Sequence, residues 1–156
     1  MKKIFLALLI FSVTASFAQR KYPPRHTKPK LDTMMIKRTG ADEYGMKKYV
    51  VAFLKKGPNR NQDSATAAQL QKAHLDNITS LVNMGKLVVA GPFTDDGELR
   101  GIYVFNVATI EEAKKLTETD PAVQAGRLEM ELHPWYASAA LMEIPLLHTK
   151  IERKKH

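Results

Sequence analysis

The chain of 156 residues contains no cysteine. That excludes disulfides, thiol nucleophiles, lipid attachment through cysteine, and zinc or iron–sulfur sites built on thiolates. Long apolar runs are also missing. The one candidate, Ile4 to Phe11 with a weak extension to Val13, is interrupted by Ser12, Thr14 and Ser16. A spanning helix takes roughly 20 apolar residues, so this run is too short to anchor the protein. Three further signatures are absent: a Gly-rich phosphate loop, a nucleophile elbow and a zinc-binding helix motif. No fixed-period repeat of the solenoid type occurs.

What is present begins with Lys2 and Lys3, followed by the short apolar run and then Ser16-Phe17-Ala18. A positive start, an apolar core and small residues at a cleavage site form the secretory pattern. Residues 1–18 are therefore expected to be a removable signal peptide. The protein is expected to be exported, to periplasm or medium, with no stable membrane insertion after cleavage. About 138 residues remain, enough for one ordinary domain.

The formal charge of +8 is unevenly placed. Residues 19–48 carry nine Lys/Arg against three acids, whereas residues 49–142 carry nine against eleven. Nucleic-acid recognition needs a basic patch on the folded surface, and the folded part is slightly acidic. No nucleic-acid partner is expected. Two roles fit the basic ends: solvated tails, or weak adhesion to anionic polymers.

Pro23, Pro24 and Pro29 among many charges mark 19–46 as a linker, with Met34-Met35-Ile36 its only apolar knot. A domain is expected over 47–144, followed by a basic tail over 145–156. Tyr49 to Leu54 is rich in β-branched and aromatic residues and predicts strand one. Asp63 or Ser64 caps a helix running to about Met84, stopped by Gly85. Lys86–Phe93 and Leu99–Val107 flank the turn signal Asp95-Asp96-Gly97 and predict a hairpin. Thr109 and Glu112 form a capping box for a second helix to about Glu118, and Pro121 opposes helix at Asp120. Leu128 to His133 alternates apolar and polar residues as a half-buried strand does, with Trp135-Tyr136 closing it. The order strand, helix, strand, strand, helix, strand predicts an α+β sheet with both helices on one face. The other face would be uncovered, and a second copy is its simplest cover.

His74 lies between Leu70 and Ile78 in the apolar stripe of the first helix. Two roles fit it: a core histidine tied to a carbonyl, or a proton-transfer group. Asp120 has two as well. It can be an ordinary turn former before proline, or the carboxylate that fixes an imidazole tautomer. Glu129, Glu131 and His133 share a strand face, where a solvated charge row is expected ahead of a metal site. No metal is expected.

His74-Leu75, Gly85-Lys86-Leu87, Ala90-Gly91-Pro92, Glu112-Ala113, Asp120-Pro121, Ala125-Gly126 and Pro134-Trp135, in that order and spacing over residues 47–136, resemble the YciI-like (YCII-related) family. The resemblance implies a ferredoxin-like fold that pairs into a dimeric α+β barrel, with a histidine–aspartate pair at His74 and Asp120. A relative is linked to dehydrochlorination in aromatic degradation. The wider superfamily includes lactone isomerases and cofactor-free monooxygenases. Lys72 stands where many members carry arginine, and export sets this chain apart from a mostly cytoplasmic family.

The expectation is a cofactor-free acid–base enzyme acting on a small organic molecule, aromatic or a lactone. His74 and Asp120 carry the chemistry. Lys72 and Arg100 are the candidates for electrophilic help. Tyr103 and Trp135 are candidates for lining a pocket or packing the core, and Gly91 and Pro92 shape a strand end beside it. The alternative is a non-catalytic dimeric module that binds a small ligand or a partner.

Overall fold

The computed structural model describes residues 30–154. The expected signal peptide and the start of the expected linker lie outside them. Lys30 and Leu31 carry no regular structure. From Asp32 onward the chain forms one unit.

Four strands form one antiparallel sheet: β1 (Met46–Lys56), β2 (Leu87–Pro92), β3 (Leu99–Phe105) and β4 (Leu128–Ser138), in the order β2-β3-β1-β4. Two main helices connect them, α2 (Ser64–Asn83) and α3 (Ile110–Thr117). This is the expected ferredoxin-like α+β arrangement. The helices start where the caps predict. Asp63 accepts from the Thr66 N–H at 2.9 Å, and Thr109 with Glu112 completes a capping box.

Alternation along β1 divides the core. Val50, Ala52 and Leu54 face the helices and pack with Tyr103, Phe105, Leu87, Leu81 and Ala113. Tyr49 and Val51 point the other way and pack with Val88, Val104 and Ala137. This second face is partly covered by the chain itself. After β4 a 3₁₀ turn (Ala139–Glu143) folds back and lays Leu141 and Met142 over it. The remainder stays open: Trp135 is 42% and Leu99 38% exposed.

Several expected boundaries move. The segment expected to be linker contains helix α1 (Thr33–Thr39), capped by Asp32 and ended by Gly40 in the left-handed region at φ 69°. The C-terminal tail begins with helix α5 (Ile144–His148). Arg38 and Glu143 join the two ends through a two-pronged ion pair at 2.8 and 2.9 Å. β4 runs five residues beyond His133 and passes through Pro134. Proline has no N–H for a ladder, but β4 is an edge strand and its outer side needs none. Asp120-Pro121 does not simply end a helix. It begins the short helix α4 (Pro121–Gln124), with Asp120 as N-cap and Pro121 in the first turn, where its missing N–H costs nothing.

Candidate functional site

His74 sits at the middle of α2 on the sheet-facing side, 8% exposed. Asp120 comes from the α3–α4 junction and is 1% exposed. Its two carboxylate oxygens have separate duties. Oδ1 accepts from the Ala122 N–H at 2.9 Å, capping α4. Oδ2 lies 2.6 Å from His74 Nδ1. A carboxylate can only accept, so the imidazole proton facing it is on Nδ1. In the neutral ring Nε2 is then the acceptor. Tyr103 Oη approaches Nε2 at 3.3 Å, and the two rings stack with centroids 6.1 Å apart. Burial, and next the charge of Asp120, push the Tyr103 phenol well above its usual range. Tyr103 therefore stays neutral and donates to Nε2. One turn along α2, Asn77 Nδ2 donates to the Thr119 carbonyl and hydroxyl at 3.1 and 2.9 Å, tying the residue before Asp120 to the helix that carries His74.

The His74 and Tyr103 side chains open on a cavity of about 520 Å³. It lies at one end of the sheet, where β1 and β2 finish and β3 and β4 begin. Its apolar wall includes Leu54, Leu75, Ile78 and Ala90. Gly91, Pro92 and Arg100, named from sequence, line it. Gly91 pairs with Ile102 of the open face, so it offers the cavity its backbone. Gly101 also lines it; a Cβ there would stand 2.6 Å from the Gly91 carbonyl oxygen. Only glycine lets the two strand ends approach this closely.

Two of the expected residues lie elsewhere. Lys72 does not line the cavity; it is exposed and pairs with Asp76 at 2.6 Å. Side chains two apart on a helix do not share a face, so the position before His74 turns Lys72 to solvent. Trp135 pairs with Tyr49 on the opposite face of the sheet, because strand residues alternate sides. Glu131 is bound to Lys55 and to His133, the latter at 2.8 Å, as a charge row on that same opposite face. Among the described residues no group of three or more His, Asp or Glu side chains is placed to hold a metal ion.

Sequence reasoning passed over Gln71, Arg60 and Arg127, which also line the cavity. Gln71 had a visible signal, since it lies three residues before His74 on the same helix side. Arg60 and Arg127 had one only through topology. β1 and β4 are antiparallel neighbours with Lys56 opposite Leu128, so the loop after β1 must meet the start of β4. The Gly57 N–H donates to the Arg127 carbonyl there at 3.0 Å.

A four-stranded ferredoxin-like sheet whose helices place an imidazole–carboxylate pair beside a cavity defines a small α+β protein. The chain belongs to the YCII-related domain family, whose model matches residues 49–136, more than half of its length. Among solved structures it is similar to 5-chloro-2-hydroxyhydroquinone dehydrochlorinase from Burkholderia phenoliruptrix AC1100, in complex with 2,5-dihydroxybenzoquinone. The two are 22% identical, with 57% of this chain and 93% of that chain covered, at a TM-score of 0.41. No curated protein sequence matches.

Proposed function

We propose that this chain is an exported enzyme that moves a proton on a small organic molecule, aromatic or lactone-like, with His74 as general base and no nucleotide cofactor. The observation that carries the reading is the 2.6 Å contact between His74 Nδ1 and Asp120 Oδ2, beside a cavity of about 520 Å³ that His74 lines. Nε2 takes a proton from an acidic C–H or O–H of the substrate. The imidazolium that forms is stabilised by the Asp120 carboxylate behind it. Tyr103, held neutral, gives up its bond to Nε2 as the substrate enters and donates instead to whichever oxygen gains charge. The proton then returns to a different substrate atom, giving an isomer, or accompanies a leaving group, giving an elimination. A positioned base of this kind contributes roughly 10²–10⁴-fold.

The test is His74→Ala against the parent chain, with circular dichroism as the fold control, over a panel of hydroxyquinols, lactones and enolisable acids. Turnover by the parent that the variant loses supports the reading. Turnover kept by a folded variant overturns it. A second reading is favoured by Asp120 Oδ1 capping α4. On it, the pair is structural and the cavity binds a ligand without converting it. Binding without turnover, together with a His74 variant that loses stability but not affinity, would favour that module.

Export rests on residues 1–18. Recovery of a chain starting near Gln19 outside the cytoplasm supports it, and an uncleaved cytoplasmic chain overturns it. We also propose a homodimer. Trp135 and Leu99 on the open sheet face are large apolar side chains left about two-fifths exposed. Light scattering that gives a monomer at all concentrations would overturn that.

A further inference from the structure

Three arginines line the cavity, Arg60, Arg100 and Arg127, and no Asp or Glu does. Part of each guanidinium is spent on neutral oxygens. Arg60 Nη1 donates to the Arg127 carbonyl at 3.1 Å, and Arg127 Nη1 to Gln62 Oε1 at 2.9 Å. Arg100 Nη1 donates to the carbonyls of Asp95 and Gly97 at 3.2 and 3.4 Å. These bonds fix the side chains without compensating their charge. Among the described residues, none of the three forms an ion pair with a carboxylate.

Arg100 and Arg127 are half-buried. A partly desolvated cation is costly unless an anion meets it. A guanidinium held in one orientation suits a carboxylate, which it can bind through two parallel N–H···O bonds. The wall beside His74 is apolar, and Gln71 and Tyr103 are its neutral polar side chains. The lining therefore matches a molecule with a single anionic head and an apolar body.

We propose that the ligand of this cavity is a small carboxylic acid, its carboxylate held by Arg60, Arg100 and Arg127 and its apolar body lying against Leu75, Ile78 and Ala90. The proposal rests on the reading of this cavity as the place where His74 works, and it assigns the charge of the molecule that His74 meets. It also gives the arginines a positioning role. They hold the head at the rim, and the body then reaches inward to Nε2.

The test uses the mature chain at neutral pH, with benzoate, benzamide and phenyl phosphate as probes. Binding is followed by calorimetry and by the ¹⁵N-resolved Nε–H signals of the arginines. Benzoate is expected to move the signals of all three arginines, and benzamide none. Arg100→Gln and Arg127→Gln are each expected to weaken benzoate about ten-fold, equivalent to about 1.4 kcal/mol. Equal affinity for benzoate and benzamide overturns the proposal, as does tighter binding of phenyl phosphate. So does a failure of benzoate, cyclohexanecarboxylate and hexanoate alike to bind. His74→Gln separates the two readings. If the arginine variants lose benzoate while His74→Gln keeps both affinity and turnover, the carboxylate rim stands and the general base falls. If His74→Gln loses benzoate while the arginine variants keep it, the rim falls.

Discussion

Asp120→Asn asks the most of the site with the least change in shape. The parent carboxylate satisfies two donors, the Ala122 N–H at 2.9 Å and the His74 Nδ1–H at 2.6 Å. An amide has one oxygen and one NH₂ group, so it can accept from only one of them. The Ala122 N–H cannot change its polarity, but the imidazole can. The amide oxygen therefore stays at Ala122, where Asn caps a helix about as well as Asp. Its NH₂ turns to Nδ1. The ring must then carry its proton on Nε2, which faces the Tyr103 hydroxyl at 3.3 Å and finds an acceptor there. The ring and the Ala122 N–H stay paired and the displaced Tyr103 hydroxyl hydrogen turns to the cavity it lines, so the main loss is the difference between a charge-assisted and a neutral hydrogen bond, about 1–2 kcal/mol. Chemistry suffers far more, because Nε2–H cannot accept a proton. Turnover is expected to fall by roughly 10²–10⁴-fold with the fold intact. Long-range ¹H–¹⁵N correlation of the imidazole reads the tautomer directly and needs no substrate. An unchanged Nδ1–H tautomer in the variant would refute the reasoning.

Much of the fold was legible because burial and alternation coincide in this chain. The run Tyr49 to Leu54 is buried on both faces, and each face has its own cluster. The position of His74 in the stripe of Leu70 and Ile78 correctly turned it toward the sheet. What stayed hidden depended on partners distant in sequence. Asp120-Pro121 stops one helix and starts another, and local propensity sees the stop. Asp120 reaches His74 from a junction that Asn77 clamps through Thr119, 42 positions away. Arg60 sits in a loop with no pattern of its own, and only the β1–β4 pairing brings it to the cavity. The helix α1 was masked by the prolines and charges upstream of it. Its cap at Asp32 and stop at Gly40 were visible, but seven residues are too few to show a helical period. Lys72 was misplaced because nearness in sequence to His74 is not nearness on a helix surface.

Three further outcomes follow from the packing. First, burial holds the Tyr103 phenol above its ordinary value of 10.0, so the folded chain keeps a proton that the unfolded chain sheds. Stability is thus full below that value and falls as pH rises past it, by up to about 1.4 kcal/mol per pH unit from this group. Urea unfolding of Tyr103→Phe should show a shallower alkaline decline than the parent, and parallel declines would contradict the assignment. Second, Gly101→Ala places a Cβ 2.6 Å from the Gly91 carbonyl oxygen. The strain should cost about 1–3 kcal/mol in denaturant unfolding and weaken ligand binding by moving the Gly91–Pro92 wall. Unchanged stability and affinity would mean that the strand ends are not held so close. Third, the two ends of β1 have separate work. Near its end Leu54 borders the cavity, whereas Met46 to Tyr49 pair with Trp135 to Ser138, next to the 3₁₀ turn that Glu143 ties to α1. Arg38→Gln breaks that tie. Hydrogen exchange should quicken in Thr33–Thr39 and Ala139–His148 and stay unchanged in α2 around His74. The ion pair is exposed and screened by salt, so the difference should shrink as ionic strength rises. Equal quickening in α2 would show that the terminal helices hold the site together, and that the chemistry is not insulated from the segments lying outside the family's match.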